Sequence, residues 1–168
     1  TKLYLVDTKD NSLTRIDDDD ASYAPVGWID RTFVYQVSRN RAAWQSGQTA
    51  IKLYAADSRK LTTLEESQAS GSSYYDYTAQ YTTMPIINNG VIEYGRYWSA
   101  SYTGSLSDKK SQILSADIRG VKHVLKEFPG TSSVGYLVAS SLDNAFVSVY
   151  DSTAGKSTVY QVTGGKVS

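Results

Sequence analysis

Cysteine is absent from the 168 residues, and histidine occurs once, as His123. The first absence excludes disulfides, thiolate chemistry and Cys-ligated zinc; the second excludes a histidine-rich metal site. An excess of one charge is also lacking, because 17 basic and 17 acidic side chains cancel. Without a global field, neither nucleic acid nor an anionic membrane surface is an expected partner. No apolar run approaches the roughly 20 residues that cross a bilayer, so no direct membrane span is expected in this segment, and no secretory leader is recognisable. Helical patterning is missing too: no amphipathic stretch is long enough to predict a helix.

What is present is strand-type sequence in short runs bounded by turn formers. Gly27 to Glu65 holds four such runs: Gly27 to Asp30, Thr32 to Val37, Ile51 to Asp57 and Lys60 to Leu64. The first two are hinged on Asp30-Arg31. Ile29-Asp30-Arg31-Thr32-Phe33-Val34 recurs in pattern as Ile87-Asn88-Asn89-Gly90-Val91-Ile92 and Leu142-Asp143-Asn144-Ala145-Phe146-Val147. A second pattern, Leu3-Tyr4-Leu5-Val6-Asp7, recurs at Leu53 to Asp57, at Ile113 to Asp117 and, more loosely, at Val159 to Thr163. Both repeat at intervals of roughly 50 to 60 residues, a spacing that suits propeller blades of four strands.

The expected fold is therefore all-β and β-propeller-like, with about three to four consecutive four-stranded antiparallel blades. Its parts are a half blade over 1–16, blades over 23–65 and 81–128, and an incomplete blade over 134–168, all within one propeller segment, 1–168. Asn89-Gly90 predicts a tight hairpin, since a primed turn needs positive φ. Asp17 to Asp20, four adjacent carboxylates without calcium-loop spacing, read as a solvated loop. Glu65 to Gln80 reads as a long joining loop and Pro129 to Ser133 as a linker. The final blade is expected to lack its fourth strand.

Strand, Asp-Gly-like turn, strand, then Leu/Ile-Tyr-x-x-Asp and a closing strand resembles the repeat of TolB-like six-bladed propellers, shared by the propeller domains of dipeptidyl peptidase and prolyl oligopeptidase relatives. Ser140-Ser141-Leu142-Asp143-Asn144-Ala145-Phe146-Val147-Ser148 is the copy nearest to that family's Ser-Pro-Asp-Gly turn. The copies depart from the family pattern: the Pro is absent, Gly survives as Gly90, and the first-strand tryptophan matches at Trp28. The resemblance covers the whole chain as architecture and implies no catalytic residue. Strand three would be supplied by both chain ends, so the expectation is an inner slice of a longer propeller, with self-association possible through open sheet edges. A closed four-bladed ring is the alternative.

The sequence carries no recognisable catalytic or phosphate-binding motif. Ala154-Gly155-Lys156-Ser157-Thr158 lacks the earlier glycine and the following helix of a phosphate-binding loop. No G-x-S-x-G elbow exists. No catalytic residue, metal site or cofactor is expected. The positive signal is aromatic: 14 tyrosines against three phenylalanines, a choice that suits half-wet interfaces. Tyr4, Tyr35, Tyr54 and Tyr160 are expected to pack between blades. Tyr74, Tyr75 and Tyr77 lie in a Ser/Gly-rich loop and are candidates for contact. In a meander, second-to-third and blade-to-blade loops share one face, and here those are the long ones. Arg39, Arg41, Trp44, Tyr74, Tyr75, Tyr77, Trp98 and Tyr102 are therefore expected on or near one face, where a protein or glycan partner would bind. The functional expectation is a noncatalytic binding or scaffolding module outside the cytoplasm, periplasmic or at the cell surface. Its alternative is the gating propeller of a hydrolase whose catalytic domain lies outside this segment.

Overall fold

The computed structural model describes residues 1–140 and 143–168. Leu142, which heads the third copy of the repeat, lies outside the described residues. Among these residues there is no helix; the chain forms four antiparallel sheets. The first pairs β1 (Leu3–Val6) with β2 (Leu13–Asp17). The second is a simple meander of β3 (Ser22–Ile29), β4 (Thr32–Ser38), β5 (Thr49–Ala55) and β6 (Lys60–Glu66). The third holds β7 (Gln68–Ser73), β8 (Asp76–Thr82), β9 (Ile86–Asn88), β10 (Val91–Ala100), β11 (Lys110–Ala116) and β12 (Lys122–Pro129). The fourth is again a meander, of β13 (Ser132–Ala139), β14 (Asn144–Asp151), β15 (Lys156–Thr163) and β16 (Lys166–Val167).

Strand alternation explains how the sheets stack. On β4, Phe33, Tyr35 and Val37 face the first sheet and pack with Leu3, Leu5 and Ile16, while Val34 faces the third sheet. On β5, Ile51 and Leu53 join Val34 against Ile92, Tyr94 and Leu114. On the opposite face of the third sheet, Ile113 and Phe128 meet Val134, Leu137, Val147 and Val162 of the fourth. Three apolar clusters thus lie between successive sheets. Gly95 lets the third and fourth sheets come close: a Cβ there would sit 2.6 Å from Val134 Cγ1 and 2.9 Å from Thr83 Cγ2. The outer faces of the two end sheets keep apolar groups exposed, Tyr4, Val6 and Leu13 on one and Val138, Phe146 and Val159 on the other.

The turns expected from sequence are present, with Asn89 at φ 47° and Gly90 at φ 73° closing β9 onto β10. Several readings change. Glu65 to Gln80 is not a bare loop, because β7 and β8 form a hairpin whose turn is Tyr74-Tyr75. The small and hydroxyl residues of β7 carry little strand propensity of their own, and pairing with β8, itself laid along β10, supplies what propensity does not. The expected strand Thr82 to Ile87 is split: β8 pairs the distal half of β10 and β9 the proximal half, on the same edge. Between them, Thr83 still donates its amide to Gly95 O at 2.9 Å. The linker Pro129 to Ser133 shrinks, since β12 runs to Pro129 and β13 starts at Ser132. The last sheet does have a fourth strand, the two-residue β16.

Asp17 to Asp20 is also not a wholly solvated loop. Asp17 is buried, accepting from Tyr35 Oη at 2.8 Å and from Lys52 Nζ at 2.7 Å. Lys52 faces the first sheet because β5 alternates, and its charge draws in two of the four carboxylates. Tyr35 and Tyr54 are buried and Tyr160 packs against the last core cluster, as expected, but Tyr4 points outward from the first sheet.

Candidate functional site

The β7–β8 turn projects beside the long β10–β11 loop, and hydrogen bonds lock the two together. Thr103 Oγ1 donates to Tyr75 O at 2.8 Å, Tyr77 N donates to Ser101 Oγ at 2.9 Å, and Ser101 N donates to Tyr77 O at 2.9 Å. Tyr74 and Tyr75 meet edge to face, with ring centres 5.6 Å apart, and are 65% and 75% exposed. Tyr102, from the partner loop, is fully exposed. Three rings therefore stand in solvent on a tip whose backbone is already held by hydrogen bonds, so contact need order little main chain.

The other expected residues divide. Tyr77 is half-buried and shares the β8 face of Tyr81, whereas Trp98 lies opposite Gln80 on the other face. Trp98 donates its indole N–H to Lys110 O at 3.0 Å, and the Lys109 ammonium sits 5.1 Å from its ring centre. Trp44 is half-buried in the β4–β5 loop, which joins the β7–β8 hairpin through Ser46 Oγ donating to Ala69 O at 3.2 Å and accepting from Ala69 N at 2.9 Å. Arg41 is exposed and donates to Ser46 O.

Arg39 is committed elsewhere. Its side chain is 10% exposed and binds Asp19 Oδ2, Glu66 Oε1 and Gly47 O. Burial works against its charge, but these carboxylates more than offset that and hold its pKa above the ordinary value. A matching junction lies between the second and third sheets. There Glu65 Oε2 accepts from Arg96 Nη2 at 2.8 Å, Lys122 Nζ at 2.8 Å and Tyr94 Oη at 3.0 Å. Burial pushes the Glu65 carboxyl up, the two cations pull it down, and the balance lies below the usual range. Tyr94 is pushed up, first by burial and then by the Glu65 charge.

One cluster was not visible in sequence. Tyr81 and Tyr97 stack at 5.6 Å and, with Tyr136, line a cleft of about 380 Å³ whose other walls include Gln36, Thr49 and Thr83. These residues come from β4, β5, β8, β10, β13 and the segment after β8, so no local motif announces them; the excess of tyrosine was the one available signal. Among the described residues no three His, Cys, Asp or Glu side chains converge as a metal site, and no helix is long and apolar enough to cross a membrane. His123 is exposed on β12.

No protein-family model matches this chain, and no curated protein matches it.

Proposed function

We propose that this chain is a noncatalytic binding module of propeller type, in which the successive sheets act as blades and a partner is engaged through the Tyr74-Tyr75 turn and the loop bearing Tyr102. The serial face-to-face packing of antiparallel meanders supports the blade reading. The observation that carries the binding reading is the hydrogen-bonded tip, whose two adjoining loops bear three exposed rings. Such rings present an apolar face and a polar edge, a combination that suits a protein surface or a sugar ring. The nearby Trp98–Lys109 pair adds a cation and a second aromatic surface. The degenerate TolB-like repeat is the reason to place the module outside the cytoplasm.

The test is a glycan array together with crosslinking to envelope proteins, comparing wild type with Tyr75→Ala plus Tyr102→Ala. Loss of a true anchor removes about 2 kcal/mol of binding or more, so the double variant should lose its partner while keeping its urea midpoint. Unchanged binding there, with loss instead in Arg119→Ala on the opposite short turn, would overturn the assignment.

A further inference from the structure

Two glutamates are buried in the third-sheet region and differ in what faces them. Glu65 has two cations, a phenol and the Gln80 amide around it. Glu93, on β10, is 1% exposed, and its hydrogen bond is from the neutral Asn88 Nδ2 at 3.0 Å. Among the described residues it makes no ion pair. Burying a carboxylate without a counter-charge is costly, and removing the charge is the usual relief. Burial accordingly pushes the Glu93 carboxyl above its ordinary range, with the Asn88 bond offsetting only part of the rise.

Beside Glu93 is a cavity of about 260 Å³ between the third and fourth sheets. Ser115 lies directly across the ladder from Glu93, and Val91 and Asn88 share the same sheet face through the β9–β10 pairing. Asn88 is itself 3% exposed, and its Oδ1 is buried with no hydrogen-bond partner. While Glu93 is ionised, turning the amide over would set two oxygens against each other, so Nδ2 faces the carboxylate and Oδ1 is left over. The far wall is the β15–β16 turn, Gly164-Gly165, at φ 55° and 74°, which brings backbone and no side chain to the cavity.

The cavity thus gathers acceptors: a carboxylate, an orphaned amide oxygen and a hydroxyl. No cationic side chain is among its described lining residues, which Asn89, Val91 and the two glycines complete. A divalent cation fits poorly, since calcium takes six to eight oxygens and magnesium requires a near-ideal octahedron, whereas one carboxylate is offered here. A primary ammonium supplies one charge and three N–H donors, and Val91 offers an apolar surface for the carbon next to it. We propose that the cavity formed by Glu93, Asn88 and Ser115 binds a primary ammonium group, carried by a free alkylamine or by a lysine side chain of a partner.

The experiment is an NMR titration of the whole chain with n-butylamine hydrochloride, with the methylamide of Nα-acetyl-lysine, and with tetramethylammonium, which has charge but no N–H donor. Saturable shifts at Glu93, Ser115 and Gly165 are expected with the first two, together with a fall in the Glu93 carboxyl pKa. Tighter binding of the lysine derivative assigns the ammonium to a partner chain, and tighter binding of butylamine assigns it to a free amine. Glu93→Gln keeps the shape, should unfold at the same or higher urea concentration, and should weaken the amine by about tenfold or more. Ser115→Ala should weaken it less. Absence of saturable shifts in the wild type, equal affinity in Glu93→Gln, or equal binding of tetramethylammonium would each overturn the proposal. The tip variant Tyr75→Ala plus Tyr102→Ala should leave amine binding unchanged.

Discussion

Glu65 and Glu66 are neighbours in the chain, yet one ties the second sheet to the third and the other ties β6 to the β4–β5 loop of its own sheet. Glu65 binds Arg96 and Lys122 of the third sheet, while Glu66 binds Arg39 of the β4–β5 loop, whose guanidinium also reaches Asp19 between β2 and β3. On β6, Thr63 lies opposite Lys52 and Glu65 opposite Ile51, so Leu64 is the extra residue of a bulge. That bulge lets Leu64 and Glu65 both contact the third sheet, one through the apolar core and one through charge.

Removing the Glu65 charge should therefore loosen the junction between the second and third sheets. Glu65→Gln leaves Arg96 and Lys122 without their carboxylate, and breaking a buried pair costs about 3 kcal/mol at the lower end of such losses. The lower end applies because both cations keep some contact with solvent. A urea titration should show a lower midpoint; an unchanged midpoint would mean the network contributes no net stability.

Acid should act in opposite directions at different carboxylates. Asp17 and Glu65 are held below their ordinary values of 3.8 and 4.5. Burial raises each, and Lys52 with Tyr35, or Lys122 with Arg96, more than reverses it. Their stabilisation is present above those ordinary values and is lost as pH falls through the lower folded values. Glu93 is raised, so the folded chain holds that proton longer and its contribution falls as pH rises from 4.5 through its folded pKa. Urea midpoints measured across this range should show a flatter alkaline side in Glu93→Gln and a shallower acid limb in Glu65→Gln.

Arg39 was expected to touch a partner, but the structure uses it internally. Arg39→Ala should lower stability by about 1–2 kcal/mol, because Asp19 and Glu66 lose their donor but can rehydrate. It should leave partner binding at the Tyr75 tip unchanged. Loss of binding at an unaltered urea midpoint would return Arg39 to the contact surface.

Gly95→Ala tests how closely the third and fourth sheets approach. The added methyl would meet Val134 Cγ1 at 2.6 Å, and overpacking of this kind costs about 1–3 kcal/mol. Thermal unfolding should shift downward, and Val134→Ala in the same chain should restore part of the loss by opening space.

Much of the fold was legible from local pattern. Turn chemistry at Asn89-Gly90, the apolar runs at Val34, Ile51 and Leu53, and the absence of helical period together specified antiparallel meanders, because these signals act over a few residues. The β7–β8 hairpin was not legible, since Gln68 to Ser73 has weak strand propensity and becomes a strand only through its pairing with β8. Nor were the fates of Asp17, Arg39 and Glu65, whose partners named above lie 8 to 57 residues away. Whether such a group is solvated or buried depends on which sheet face its neighbour presents. The same holds for the tyrosine cleft and for Glu93 with Asn88 and Ser115. Local sequence determined where most strands and turns form, because backbone preference and alternation are properties of adjacent residues. Only the stacking of sheets decided which charges meet a counter-charge and which do not, because burial and long-range pairing arise once the faces come together.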